Sequence, residues 1–259
     1  MKSAWTCVAV VGLVGLVAAC SSTDSTSPET CDNSTVSGAY GFTTEGLNVV
    51  AVRTVTEGIA NFDGNGNVTE TSTTSTNGTF STLTRTYAYA TAAASAATAA
   101  AAASGCMVTI KDNGNNFANM FVVHGNLQMM GISTVPGTNA VEEFDRIDGT
   151  CSNATLDGAY SVMESNGAIG NLFVVSSGTD VFDGKGNESE HLAVDKGGNL
   201  STVDEKGTYS LNADCTGIET DPIAGVFSHI VAVRGGAEIR GIDMTPGTTE
   251  LIDFERNIQ

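Results

Sequence analysis

The segment Cys31–Tyr40 reads CDNSTVSGAY, and the segment Cys151–Tyr160 reads CSNATLDGAY. The two segments lie 120 residues apart and agree at six of ten positions. At the same separation, Phe62–Asn67 (FDGNGN) returns as Phe182–Asn187 (FDGKGN). Ordered matches at a fixed separation indicate an internal duplication, in which each copy is one structural unit.

The later parts of the two copies match as well. Pro136–Thr138 (PGT) returns as Pro246–Thr248, and each copy ends on Phe-acid-Arg, at Phe144–Arg146 and Phe254–Arg256. The duplication therefore predicts two tandem domains. Their predicted bounds are 31–148 and 149–259.

Turn residues predict strands in both copies. The chain has 30 glycines among 259 residues, and steps such as Asp63-Gly64 and Asn77-Gly78 separate the apolar runs. Asp-Gly and Asn-Gly supply the positive φ that two-residue hairpin turns require. About eight hairpin-linked strands per copy predict an all-β fold of two small antiparallel meander barrels, because closure leaves no strand edge exposed. A pair of β-sandwiches is the alternative.

The copies differ in length at one place. Cys106 lies 19 residues after Tyr87, whereas Cys215 lies 6 residues after Tyr209, so the first copy has 13 extra residues. They fall in the alanine-rich insertion 88–104. Alanine favours helix, although a helix this short needs packing to be stable. A short surface helix, a loop over the barrel mouth, or simple drift in a tolerant loop would each fit.

The first thirty residues predict export and anchoring. The apolar run Val8–Ala19 carries no charge and is too short to span a membrane, which is typical of a signal peptide. Leu16–Cys20 (LVAAC) resembles the lipobox of bacterial lipoproteins. The resemblance implies a signal peptide at 1–19, lipid on Cys20 that anchors the protein in a membrane, and a flexible tether at 20–30. An ordinary secretory leader is the alternative.

Charge and sorting signals indicate where the protein is located and which partners it has. The chain has 11 Lys and Arg against 29 Asp and Glu, for a net charge of −18. Such a surface repels phosphate backbones, so we expect no nucleic-acid partner. Ser21 follows the lipobox cysteine, and by resemblance to enterobacterial sorting this favours the outer membrane. We therefore expect a lipid-anchored protein of the cell envelope, at the outer membrane or cell surface.

The cysteines fit two disulfides. Of the six cysteines, Cys7 leaves with the signal peptide and Cys20 carries the lipid. The remaining four allow three pairings. The repeat selects one, because each copy has one cysteine before its first strand and one in mid-domain. The expected disulfides are Cys31–Cys106 and Cys151–Cys215, which an oxidising envelope would allow to form.

No metal-binding motif is recognisable. Asp63–Asn67 imitates the start of an EF-hand calcium loop, but the pattern fails at Val68 and at Thr74, where Gly and Glu are required. A hairpin turn accounts for the same residues. The sequence therefore predicts neither a metal site nor a cofactor.

No catalytic set is recognisable either. The three histidines have no counterparts between the copies, and no nucleophile is identifiable beside them. They are His124, His191 and His229. The acid pairs Glu142-Glu143 and Glu188/Glu190 could suggest glycosidase-like carboxylates. Charged strand ends in so acidic a chain are expected to be solvated, and we predict that the protein is not an enzyme.

The two ends of each copy carry a Gly-x-Tyr and a late Arg, which resembles the calycin plan of lipocalins. There a Gly-x-Trp and an Arg pack across the closed end of the barrel. The resemblance implies that Arg146 covers Tyr40 and Arg256 covers Tyr160 by cation–π contact, and that an eight-stranded barrel holds one small apolar ligand. Packing alone is the plainer role. The order of motifs also resembles repeats of uncharacterised secreted bacterial proteins.

Three hypotheses for function follow. The first is a non-catalytic envelope lipoprotein with a binding or surface-structural role, whose partner is an envelope component. The second is a carrier of a small apolar ligand in a calycin-like barrel, and the third is a cyclase or isomerase of barrel type. The residues that face the interior distinguish them, and the alternation at Val49–Thr54 does not show which face is inside.

Overall fold

The computed structural model describes residues 31–48, 52–93, 105–169, 172–223 and 225–257, without the side chains of residues 48, 165–169 and 172–173. The expected signal peptide, Cys20 and the tether lie outside the described residues. Within them, no helix has the length and apolar character that crossing a membrane requires.

The first copy forms a closed antiparallel barrel of eight strands, barrel 1, in which each strand pairs with the next. The strands are β1 (Gly38–Asn48), β2 (Arg53–Phe62), β3 (Asn67–Thr76), β4 (Thr79–Ala93), β5 (Cys106–Asp112), β6 (Asn115–Val123), β7 (Gln128–Ser133) and β8 (Thr138–Arg146). Strand β1 also pairs with β8, with Tyr40 opposite Arg146. This closure confirms the predicted barrel, and the alternative of β-sandwiches is wrong.

The second copy repeats this order as barrel 2. Its strands are β9 (Asp157–Ile169), β10 (Leu172–Asp183), β11 (Asn187–Lys196), β12 (Asn199–Leu211), β13 (Thr216–Asp221), β14 (Gly225–Val233), β15 (Glu238–Asp243) and β16 (Leu251–Arg256). Strand β16 closes on β9, with Arg256 opposite Tyr160. Both predicted disulfides are confirmed, with Cα–Cα distances of 5.5 Å for Cys31–Cys106 and 4.9 Å for Cys151–Cys215.

The turn at Asp63 shows how local sequence sets the hairpins. The carboxylate of Asp63 accepts the backbone N–H groups of Asn65 and Asn67, at 2.7 and 2.9 Å. The intervening Gly64 and Gly66 have φ of 74° and 110°, which a residue with a side chain rarely adopts. Asp183 accepts the N–H of Lys185 and Asn187 in the same way, so one turn motif closes the same hairpin in both barrels.

The alanine-rich insertion begins as strand rather than as a surface helix or a loop. The counterpart of Tyr209 is Tyr89 and not Tyr87, because the backbone N–H of Tyr89 donates to the carbonyl of Gly66 as that of Tyr209 does to the carbonyl of Gly186, so the first copy has 11 extra residues and not 13. Residues Ala88–Ala93 belong to β4 and pair with β5 up to Ala93 opposite Cys106. Cross-strand hydrogen bonds there outweigh the weak helix preference of alanine. Residues 94–104 lie outside the described part. The strand ends that flank them lie at the disulfide end of barrel 1, so the insertion does not start beside the barrel mouth described below.

Each barrel has its own core at the disulfide end. In barrel 1 the ring of Phe62 lies edge-on to Tyr40 and Tyr89, with centroids 5.5 and 5.0 Å apart. In barrel 2, Phe182 lies in the same way against Tyr160 and Tyr209. Burying one such phenylalanine stabilises the fold by about 1.5–3 kcal/mol. These cores close one end of each barrel.

The barrels pack against each other through outer faces that are not equivalent. Barrel 1 contributes β1–β3, where Val55 packs against Ile242 and Leu251. Ile59 packs against Val231 and Val233 of β14. Since Val55 lies on the outer face of β2, its neighbours Thr54 and Thr56 face the interior of barrel 1. The sequence alternation alone did not show which of these two faces is enclosed.

Polar contacts reinforce this interface. Arg53 donates to the carbonyl of Thr249 at 2.8 Å, and Ser75 donates to that of Thr248 at 3.1 Å. Arg240 donates to Glu143 at 2.8 Å and to Asp145 at 3.0 Å. The interface between the barrels therefore contains both apolar and charged contacts, and β8 also contributes to it.

Candidate functional site

Barrel 1 contains a cavity of about 420 Å³ that opens at the end opposite the disulfide. Its floor is aromatic. The rings of Phe42 and Phe144 stack at 5.0 Å, and those of Tyr87 and Phe117 stack at 5.1 Å. The volume falls within the range of about 300–1,000 Å³ that small-molecule sites occupy.

Eight serine and threonine side chains lie in the cavity wall. They are Thr44, Thr54, Thr56, Ser72, Thr74, Ser81, Ser133 and Thr138. Two apolar residues at the rim, Leu47 and Leu83, are 48% and 46% exposed. The wall leaves room because its residues are small: barrel 2 has Leu192 and Val194 where barrel 1 has Ser72 and Thr74.

Two buried carboxyl groups lie in the cavity wall. Glu70 is 7% exposed and Glu142 is 3% exposed. Burial, together with the charge of Glu70, raises the pKa of Glu142 to about 8. Burial also raises the pKa of Glu70 to about 7, although the charge of Arg85 opposes this shift. Near neutral pH both carboxyls hold protons for part of the time and can donate as well as accept hydrogen bonds.

Barrel 2 has an acidic interior in place of this cavity. A pocket of about 20 Å³ lies inside this barrel. Six acids and one lysine line it, together with Gly207, Phe227 and Phe254. The charged residues are Asp180, Glu188, Glu190, Glu205, Glu219, Asp221 and Lys206.

Burial raises the pKa of four of these acids, and the charges of neighbouring acids contribute to three of the four shifts. Burial raises the pKa of Asp180 to about 7 and, together with the charge of Asp180, raises that of Glu188 to about 8. Burial and the charge of Glu164 raise the pKa of Glu190 to about 9. Glu219 is fully enclosed, and burial raises its pKa well above the usual value. The interior of barrel 2 therefore disfavours the charged form of every one of these groups unless a cation compensates.

The structure places the sequence-derived tyrosines and arginines at the closed ends. The guanidinium of Arg146 lies 5.8 Å from the centre of the Tyr40 ring, and that of Arg256 lies 5.2 Å from the Tyr160 ring. Tyr160 donates to the carbonyl of Gly236 at 2.6 Å. None of the four lines the cavity, so their contacts are those of end packing.

The expectation that the acid pairs are solvated is wrong for most of them. Glu142 lies inside barrel 1, and Glu188 and Glu190 line the pocket of barrel 2. Glu143 faces outward, bonded to Arg240 and Gln128. Sequence reasoning missed these interior positions because alternation identifies two faces of a strand without saying which one is enclosed.

The histidines do not form a site. His229 lies on the outer face of barrel 2, with its Nδ1 3.3 Å from the hydroxyl of Thr73 in barrel 1. His191 pairs with Asp204 at 2.6 Å on an exposed surface, and His124 contacts Gln128. The three side chains therefore have separate surroundings, and none lines the cavity of barrel 1.

Comparison with known proteins adds little. No protein-family model matches the chain, and no curated protein matches its sequence. A solved structure of a protein of unknown function from the DUF3598 family of Nostoc punctiforme aligns over 85% of this chain and 96% of its own, at 8% identity and a TM-score of 0.23.

Proposed function

We propose that the protein is a non-catalytic binding protein of the cell envelope and that barrel 1 holds a small amphipathic molecule. The observation that carries this proposal is the cavity of about 420 Å³, open at one end of barrel 1. Burying a ligand against the aromatic floor would supply most of the affinity.

The lining also restricts the ligand. A flat ring or a short chain suits the floor formed by Phe42, Phe144 and Tyr87. The hydroxyl wall and the carboxyls of Glu70 and Glu142 require hydrogen-bonding partners, since unpaired polar groups in a buried site weaken binding. An anion would meet two buried carboxyls against the single positive charge of Arg85 in the lining. We therefore expect an uncharged or cationic ligand with a hydroxyl or amine group, which is more polar than the apolar ligand that the calycin resemblance implies.

A cavity-filling substitution tests this proposal. Ser72→Leu introduces the residue that barrel 2 has at this position and should reduce the bound ligand at least tenfold while leaving the barrel folded. Thr71→Leu places the same side chain on the exposed outer face of the strand and should bind like the natural protein. The measurement is native mass spectrometry of protein purified from its own cells. Repeated absence of a co-purifying molecule from the natural protein would contradict the proposal.

Acid–base chemistry of the isomerase or cyclase type is a second candidate for the same cavity. It is favoured by Glu70 and Glu142, whose raised pKa values lie near neutral pH, where a carboxyl can both take up and release a proton. If this candidate holds, the molecule released from the natural protein should differ from the one released from Glu142→Gln. An identical molecule in both would favour binding alone.

We also propose that a lipid on Cys20 anchors both barrels to the membrane. The support is the lipobox-like segment that ends at Cys20, followed by a polar tether. Cys20→Ser should abolish lipid attachment and move the protein from the membrane fraction to the soluble fraction. The mass of the mature N-terminus measures lipid attachment directly, and a membrane-bound variant of unchanged mass would contradict the anchor.

A further inference from the structure

We propose that the interior of barrel 2 binds one calcium ion through Asp180, Glu188 and Glu219. One carboxylate oxygen from each of these residues lies within 4.8 Å of those from the other two. Two oxygens bound to the same Ca²⁺ at about 2.3–2.6 Å lie at most about 5 Å apart. The three carboxylates therefore already have a spacing that a single ion can bridge.

The unsatisfied oxygens of this cluster are independent support. Asp180 is 2% exposed and Glu219 is 1% exposed. Oδ1 of Asp180, Oε2 of Glu188 and Oε1 of Glu219 are buried and have no hydrogen-bond partner within the described residues. Ser228 donates to the other oxygen of Glu219. Buried carboxylate oxygens without donors are costly, and a cation would satisfy all three at once.

The size of the pocket restricts its occupant. Its volume of about 20 Å³ exceeds the roughly 10–15 Å³ that one water molecule needs, but it is far too small for an organic ligand. Mg²⁺ usually keeps several of its waters, and this pocket has no room for them. Carboxylates bind Ca²⁺ through one or both oxygens, and the pocket is lined by six acids in all, which can supply the six or more oxygen ligands that Ca²⁺ takes.

The kind of ligand atom agrees with calcium. All the titratable groups that line the pocket are carboxylates, apart from Lys206. The histidine on the adjacent strand, His229, is on the outer face and contacts Thr73. Carboxylate oxygens without imidazole or thiolate favour hard cations over zinc or copper.

The three acids of barrel 2 have no acidic counterparts in barrel 1. At the positions of Asp180, Glu188 and Glu219, barrel 1 has three apolar residues, each 0% exposed. They are Ala60, Val68 and Ile110. The surrounding core is otherwise alike, with Phe62 and Phe182 at its centre. The barrel fold therefore accepts apolar residues at these three positions, and the acids of barrel 2 are not required for folding.

The experiment is calcium titration of the full purified chain after treatment with EDTA. We expect one Ca²⁺ per chain by isothermal titration and metal analysis, together with a rise in the midpoint of thermal unfolding. The triple variant Asp180→Ala, Glu188→Val, Glu219→Ile installs the residues of barrel 1. It should be folded by circular dichroism and should bind calcium at least a hundredfold more weakly.

Two further variants keep the test decisive. Glu219→Gln preserves the size of the side chain and should weaken binding at least tenfold if the triple variant does not fold. Asp204→Asn with Glu255→Gln removes two exposed acids of barrel 2 and should bind calcium normally. Three results would overturn the proposal. They are undiminished binding by Glu219→Gln, loss of binding in the single variant Asp183→Asn, which changes only the hairpin turn, and no binding by the natural protein at millimolar calcium.

Discussion

Gly41 determines how closely the two barrels approach. A Cβ atom at this position would lie 2.5 Å from a methyl carbon of Val233 and 2.6 Å from one of Val231. Side-chain atoms that close must move apart, and the packing of β1 against β14 leaves little freedom. The equivalent residue of barrel 2, Ser161, is exposed and carries a side chain without such a neighbour.

Gly41→Ala should therefore destabilise the protein by about 1–3 kcal/mol, the usual cost of overpacking. Val231→Ala in the same chain should recover part of the loss, because it removes one of the two methyl contacts. The measurement is the free energy of unfolding from denaturant titration, arranged as a double-mutant cycle. Ser161→Ala is the matched control, and an equal effect of both single alanine variants would mean that the interface does not constrain Gly41.

At the scale of elements, each disulfide ties the segment before the first strand to the fifth strand of its own barrel. Cys31–Cys106 closes a separation of 75 residues, and Cys151–Cys215 closes one of 64. Cross-links that close long loops stabilise mainly by restricting the unfolded chain. Each therefore acts on one barrel without bridging the pair.

Replacing Cys31 and Cys106 together by serine should cost about 2–5 kcal/mol, as removal of a native disulfide from a small domain usually does. Hydrogen exchange read by mass spectrometry should show faster exchange in β1–β8 and little change in β9–β16. The double replacement of Cys151 and Cys215 is the reciprocal control. Equal opening of both barrels in either variant would show that the two domains unfold as one unit.

Local chemistry made the elements predictable. The Asp63 and Asp183 turns, the disulfide pairing and the number of strands all follow from residues close in sequence or from the repeat itself. The pattern did not show that Ala88–Ala93 would be strand, because pairing with β5 is a tertiary effect that outweighs propensity. Nor did it show the acid cluster of barrel 2. Asp180 and Glu188 lie on the two strands of one hairpin, but Glu219 comes from β13, two strands further along, and only the folded sheet brings its carboxylate close to theirs.

At the scale of the whole molecule, buried acids control the response to pH. Burial raises the pKa of Glu57 in β2 to about 8, and Glu142, Glu188 and Glu190 behave similarly. The folded protein therefore holds protons that the unfolded chain releases above about pH 4.5. These protonated carboxyls contribute fully to the free energy of unfolding below about pH 4.5, and the contribution is lost as the pH rises toward 8–9. Asp183, whose pKa is lowered to about 2 by hydrogen bonds from Asn187, acts in the opposite sense below about pH 4.

We expect the metal-free protein to unfold at its highest temperature near pH 5 and at clearly lower temperatures by pH 8. Glu57→Gln should raise the unfolding temperature at pH 8 and leave it unchanged at pH 4.5, because the amide cannot ionise. Thermal unfolding followed by circular dichroism in EDTA from pH 4 to 9 measures this. Glu255→Gln, on an exposed site, should follow the natural protein throughout, and a rise in unfolding temperature from pH 5 to 8 would contradict the prediction.

The contact between the barrels also bears on their ancestry. Barrel 1 meets its partner through the outer side of β1–β3 and through β8, and barrel 2 does so through β14–β16. Fusing the subunits of a two-fold symmetric dimer would join the same face of both copies, since such contacts are self-complementary. The present contact is therefore not that of a fused symmetric pair. The two copies differ at this contact, with Gly41 where barrel 2 has Ser161 and Arg240 where barrel 1 has Met130.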